Sequence, residues 1–219
     1  MAKAIPVYLE AGAKKVFACS IDFPGWCRSG KDDETALEAL ADYAPRYAEV
    51  AKLAKVAFPA TVEFEVTERV KGKGATDFGI PHEVTRADAE PMTAREAARQ
   101  VELMRAAWAL LDRVVKASPA ELRKGPRGGG RDRDKMLDHV LGAEAAYARK
   151  VGIKHPQPQL GDTRAIRALR DELAEALGGA SDGSPPVPKG WPPRYAIRRI
   201  AWHVLDHAWE MQDRADPGG

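Results

Sequence analysis

Two histidines one helical turn apart, His203 and His207, lie in the stretch Arg194 to Arg214, RYAIRRIAWHVLDHAWEMQDR. At roughly 100° per residue, an i, i+4 pair points both rings along one face of a helix. A third histidine, His139, sits in KMLDHVLGAEAAYARKVG at the edge of another apolar helical face. It meets the pair if the two helices face each other. Three neutral imidazoles from two helices form a facial donor set for a first-row divalent ion, and three protein ligands leave positions open for water or substrate. Zinc is the first expectation, with nickel and iron as further options. The chemistry on offer is Lewis-acid activation of a bound small molecule.

Neighbouring residues are weighed against that centre. Glu144 projects from the apolar face of its helix, where a carboxylate needs a partner. Two roles are open to it: orienting a ligand histidine through the second ring nitrogen, or pairing with an arginine such as Arg105 or Arg199. Glu210 continues the histidine face one turn on and could be a fourth ligand, a base or an orienting carboxylate, with a solvated residue as the plainer reading. Asp206 is expected at the surface. Tyr195, Trp202 and Trp209 make a second stripe, expected to bury an interface with the N-terminal part of the chain or with a second subunit. His82 and His155 fall in loops without an evident partner, and Cys19 and Cys27 read as packing residues of a small β unit.

The elements that must position these residues follow from periodicity. Residues 3–22 alternate as a hairpin, with the turn at Ala11-Gly12-Ala13, and Cys27 to Gly30 suits a short strand. A helix from about Asp33 to Lys55 contains Pro45, which kinks or interrupts it. Thr61 to Val70 alternates Val62, Phe64 and Val66 with polar residues, as a half-buried strand does. Residues 71–90 are polar and Gly-bearing and read as a linker or an irregular bridge. Thr93 and Glu96 then make a capping box ahead of a seam through Ala97, Val101, Met104, Trp108, Leu111 and Val115. Further helices are expected at about Asp132 to Val151, from Asp162 or Thr163 to Leu177, and over the histidine stretch, giving a four-helix bundle.

Two resemblances attach to these segments. DFPGWCRSGKDDETALEAL, Asp22 to Leu40, resembles the signature of HicB-like domains: a Pro-Gly turn, a short strand ending in glycine, and a helix opening on acidic residues. DHVLGAE around His139 and AWHVLDHAWE around His203 and His207 resemble the DinB-like family. That resemblance implies a helical bundle whose three histidines hold a divalent ion. It also implies metal-dependent thiol S-transferase or hydrolase activity on a small molecule, with a low-molecular-weight thiol as co-substrate of the transferases. The expected organisation is therefore α+β: a HicB-like sheet-plus-helix unit over residues 1–75, a linker over 76–90, and a DinB-like four-helix bundle over 91–214. A non-catalytic metal-binding or protein-interaction module is the alternative.

Composition bounds the remainder. The 34 basic and 32 acidic residues leave a net charge of +2, without the field that marks nucleic-acid binding. The basic run from Arg123 to Arg131 reads as a solvated loop. No stretch approaches the roughly 18 apolar residues of a membrane span. Two cysteines make no disulfide framework, so a reduced, cytoplasmic protein is expected, with a homodimer as one option for the aromatic stripe.

Overall fold

A computed structural model describes residues 4–125 and 129–215; the middle of the basic loop, 126–128, lies outside them. The protein is α+β. Strands β1 (Ile5–Ala11), β2 (Val16–Ser20) and β3 (Cys27–Gly30) form an antiparallel meander, and β4 (Phe64–Lys71) joins β1 in parallel, giving the order β3-β2-β1-β4. Between β3 and β4 run α1 (Asp33–Asp42) and α2 (Ala44–Leu53), which break at Tyr43 because Pro45 suits the first turn of a new helix. A short α3 (Gly74–Asp77) and a 3-10 turn (Ala87–Ala89) precede four long helices: α4 (Ala94–Ala117), α5 (Arg133–Lys150), α6 (Thr163–Leu177) and α7 (Pro193–Ala215). Among the described residues, no helix is long and apolar enough to cross a membrane.

The central strands are buried on both faces, and their sequences read accordingly as nearly continuous apolar runs. One face, with Val7, Leu9, Val16 and Ala18, packs on Leu40, Tyr47 and Val50 of α1 and α2. Trp26 is sealed there: its ring stacks on Tyr47 at 5.4 Å and its indole N–H donates to the Leu40 carbonyl at 2.9 Å. The other face presents Tyr8, Phe17, Cys19 and Cys27 to Trp202 of α7. At the turn before β3, Gly25 has a φ of +88°, and a Cβ there would stand 2.8 Å from the Ala201 carbonyl carbon. Glycine is thus required twice over, for the backbone conformation and for the contact with α7.

Two expectations need correction. Cys19 and Cys27 are joined by a disulfide, not merely packed as free thiols. The turn over residues 21–26 sets them directly opposite on β2 and β3, Cα to Cα 4.0 Å, where cross-strand side chains approach most closely. Along β4 the expected alternation does not run through: Val66, paired with Val7 at this sheet edge, is exposed, and beyond a register shift Glu68 and Val70 are the half-buried positions. The segment over residues 71–90 is irregular in backbone, as a bridge is, and it is tightly held. The Glu10 carboxylate, wholly buried on β1, accepts from Thr76 Oγ1 at 2.6 Å, His82 N at 3.1 Å and Glu83 N at 3.0 Å.

The long helices follow their capping signals. Thr93 and Glu96 close a reciprocal box at the start of α4, and Asp162 accepts from Ala165 N at the start of α6. α7 runs through the middle of the protein, packed on α4, α5 and α6 and on the sheet through Trp202. From Tyr195 to Met211 every residue but Asp206 and Glu210 is buried.

Candidate metal centre

α5 buries Met136, Val140, Leu141, Glu144, Ala145 and Ala148. His139 and Tyr147, two turns apart, fall on the edge of that face, half-buried and turned toward α7. On α7, the i, i+4 spacing sets the His203 and His207 rings 4.6 Å apart, and the His139 ring is 5.0 Å from each. One ring nitrogen from each histidine falls in a group spanning no more than 4.8 Å. His139 Nε2 and His203 Nε2 approach to 3.2 Å. Two imidazole lone pairs at that distance repel unless a proton or a cation lies between them. An ion bound tetrahedrally at roughly 2.0–2.1 Å from each nitrogen calls for about 3.3 Å between them; the His139–His203 pair meets that spacing, and the group as a whole, within 4.8 Å, could hold an ion once the third ring closes in.

Protonation points the same way. Burial holds the His203 ring well below the usual histidine range, reinforced by His207 and Arg199. Burial also lowers His139, with Arg131 and His207 adding to it. Both rings are therefore neutral near pH 7, the form that ligates metal. Among the described residues His203 Nδ1 is buried without a hydrogen-bond partner, so none of them dictates its tautomer. His207 is different: its Nδ1 lies 3.1 Å from Glu210 Oε2, while Arg214 donates to Glu210 Oε1 at 2.8 Å. The hydrogen bond from His207 and the guanidinium of Arg214 hold the Glu210 carboxyl below the usual range despite partial burial. An ionised Glu210 accepts a hydrogen bond from His207 Nδ1–H, which leaves Nε2 with its lone pair free to ligate.

The other sequence candidates lie elsewhere. Glu144 does not touch the histidines: Arg170 donates to it from Nε at 3.3 Å and Nη2 at 3.5 Å. Burial pushes its carboxyl up against the pull of Arg170. Arg105, one suggested partner, pairs with Asp171, and Arg199, the other, reaches Pro81 and Tyr147. Asp206 accepts from Arg28 at 2.8 Å. Tyr195, Trp202 and Trp209 are buried within the single chain, against the His82 carbonyl, the Tyr8 face of the sheet and the Tyr43 ring. The His82 side chain faces Glu83, Nε2 to Oε1 3.3 Å, and His155 Nδ1 lies 2.8 Å from the Pro156 carbonyl.

Periodicity alone passed over the wall beside the histidines. The Tyr147 ring stands 5.8 Å from His203 and 5.0 Å from Trp191, whose ring is 5.0 Å from Tyr195. The Arg199 guanidinium lies 4.5 Å over Trp202 and 5.5 Å from the Tyr147 ring. Its place one turn before His203 was the available signal. Set against models of protein families, curated proteins and solved structures, the chain matches none of them.

Proposed function

We propose that the chain is a divalent-metal-dependent enzyme of the DinB-like type, acting on a small molecule by thiol S-transfer or hydrolysis. His139, His203 and His207 hold the ion, with zinc preferred and nickel or iron also suited to three imidazoles. The observation that carries the reading is the convergence of one nitrogen from each ring, with His139 and His203 Nε2 atoms 3.2 Å apart. When bound, the ion supplies Lewis acidity, which lowers the pKa of a thiol or a water. Glu210 fixes the donor nitrogen of His207, and the packing of α7 holds His203 in place. Tyr147 and Trp191 give the small molecule an aromatic wall. On this reading α4 to α7 are a DinB-like four-helix bundle, and the sheet with α1 and α2 is a HicB-like unit that braces it.

The test is elemental analysis of untagged protein alongside His203→Ala, followed by a thiol-transfer screen. Wild type should bind about one equivalent of zinc or nickel, and His203→Ala should lose most of it with its circular dichroism unchanged. Equal metal in both proteins overturns the assignment. A loaded protein inert toward every thiol and ester tried favours the non-catalytic module.

A further inference from the structure

Among the described residues three arginines are buried: Arg170, Arg198 and Arg199, at 6%, 7% and 8% exposure. Two of them have carboxylates. Arg170 donates to Asp112 at 2.9 Å and to Glu144, and Arg198 donates to Asp88 Oδ1 at 2.7 Å. Arg199 has none. Its Nη1 donates to the Pro81 carbonyl at 3.1 Å and its Nη2 to the Tyr147 hydroxyl at 3.3 Å, and the rest of the guanidinium lies against aromatic rings. Removing such a cation from water is costly, and contact with ring faces offsets only part of that cost. A carbonyl and a phenol carry no charge to offset the difference.

The uncompensated charge is also placed where it can be used. Arg199 is one helical turn before His203 on the same face of α7, and the ring of its partner Tyr147 adjoins His203. Tyr147 and Trp191 are only half-buried, so the wall they make is open to solvent. A second cation, exposed Arg131, acts electrostatically on both His139 and His203. Of the carboxylates that act on the histidines, Glu210 is bound by Arg214 and Asp206 by Arg28, while Asp138 accepts from Gln157 Nε2 at 2.9 Å. With Asp138 set against Arg131, Arg199 is the buried cation beside the histidines whose charge no carboxylate among the described residues takes up.

We infer that Arg199, flanked by Tyr147 and Trp191, seats an oxyanion of the small molecule handled at the histidines, a carboxylate or a tetrahedral oxyanion. The substrate class is then an anionic, partly apolar molecule whose charged end lies against Arg199 and whose reacting end faces His139, His203 and His207. The inference rests on the metal-centre reading for the reacting end, and on the lone guanidinium for the charged end.

The test titrates acetate and sulfate, at constant ionic strength set with chloride, into metal-free and zinc-loaded protein while tryptophan fluorescence is followed. Trp191 and Trp202 flank the proposed seat and report on it. Saturable changes are expected in both forms, tighter with zinc; the tighter probe tells a carboxylate seat from a tetrahedral one. Arg199→Gln should weaken binding roughly tenfold or more with zinc content unchanged. Arg199→Lys, which keeps the charge, should retain binding within a fewfold and guards against a misfolded Gln variant. If zinc fails to load but Arg199-dependent anion binding persists, the metal reading falls and the anion seat stands. Anion binding absent in wild type, or equal in wild type and a folded Arg199→Gln, overturns the seat and leaves the metal centre untouched.

Discussion

Removing the Glu10 side chain should loosen the loop that supports Arg199. The carboxylate holds three donors, Thr76 Oγ1 and the amides of His82 and Glu83. From the other side α7 grips the same backbone: Arg199 donates to the Pro81 carbonyl, Tyr195 to that of His82 and Arg198 to that of Glu83. Residues 81–83 are therefore clamped between β1 and α7. Hydrogen bonds to a carboxylate contribute about 1.5–3 kcal/mol each. Water recovers part of this at the two half-buried amides but little at Thr76, which is fully buried. Glu10→Ala should cost about 3 kcal/mol, and Glu10→Gln, which keeps the shape but sets an NH2 against an amide donor, about 1–2 kcal/mol. Urea unfolding measures the total. Hydrogen exchange measures the local part: the His82 and Glu83 amides should exchange roughly 100-fold faster in Glu10→Ala, the equivalent of about 3 kcal/mol. A Glu10→Ala protein within about 0.5 kcal/mol of wild type, or one whose two amides stay protected, refutes the clamp.

Two other outcomes follow from the titrating and paired groups. His203 and His139 have folded-state pKa values below the usual 6.5, so below that pH the unfolded chain binds protons that the folded one does not. Stability is then full above about pH 6.5 and falls as pH drops toward the folded-state values. Thermal melts of the metal-free protein should show this slope, and one buried site accounts for at most about 1.4 kcal/mol per pH unit; His203→Ala should flatten it, and an unchanged slope refutes the burial argument. At the Glu144–Arg170 pair, Glu144→Ala should cost about 3 kcal/mol, while Glu144→Leu with Arg170→Met should cost less than that single change. Additive losses in urea unfolding would show that charge pairing is not what Glu144 contributes.

The helices and caps were legible because they are local. Thr93 with Glu96, Asp162 before Ala165, and Pro45 at a helix start each act within a turn of their own position. The convergence of His139 with His203 and His207 required only that the edge of one amphipathic helix face its neighbour. What escaped depends on partners far away in the chain. Glu10 reads as a solvent-facing strand residue until Thr76 and residues 82–83 fold over it. Glu144 reads as a carboxylate in need of an arginine, but the one it meets is Arg170 of α6, not Arg105 or Arg199. Cys19 and Cys27 read as two isolated thiols because their opposition depends on the register of a four-residue strand. Periodicity says which face of an element is apolar, and says little about which polar group meets it.

The sheet also enters the geometry of the histidines, through the rotation of α7. Each residue turns the helix by roughly 100°, so seating Trp202 against Tyr8, Cys19 and Cys27 sets the direction of His203 beside it. Gly25 against Ala201 fixes the same rotation one residue earlier, and Trp209 against Tyr43 fixes it two turns later. Between these contacts His203 and His207 have little freedom to swing away from α5. Rotating α7 by one residue's worth would bring Trp202 out of the sheet and His203 off the line to His139 together. The N-terminal half is therefore more than an appended unit: its turn and its strands set the direction from which two of the three imidazoles approach the third.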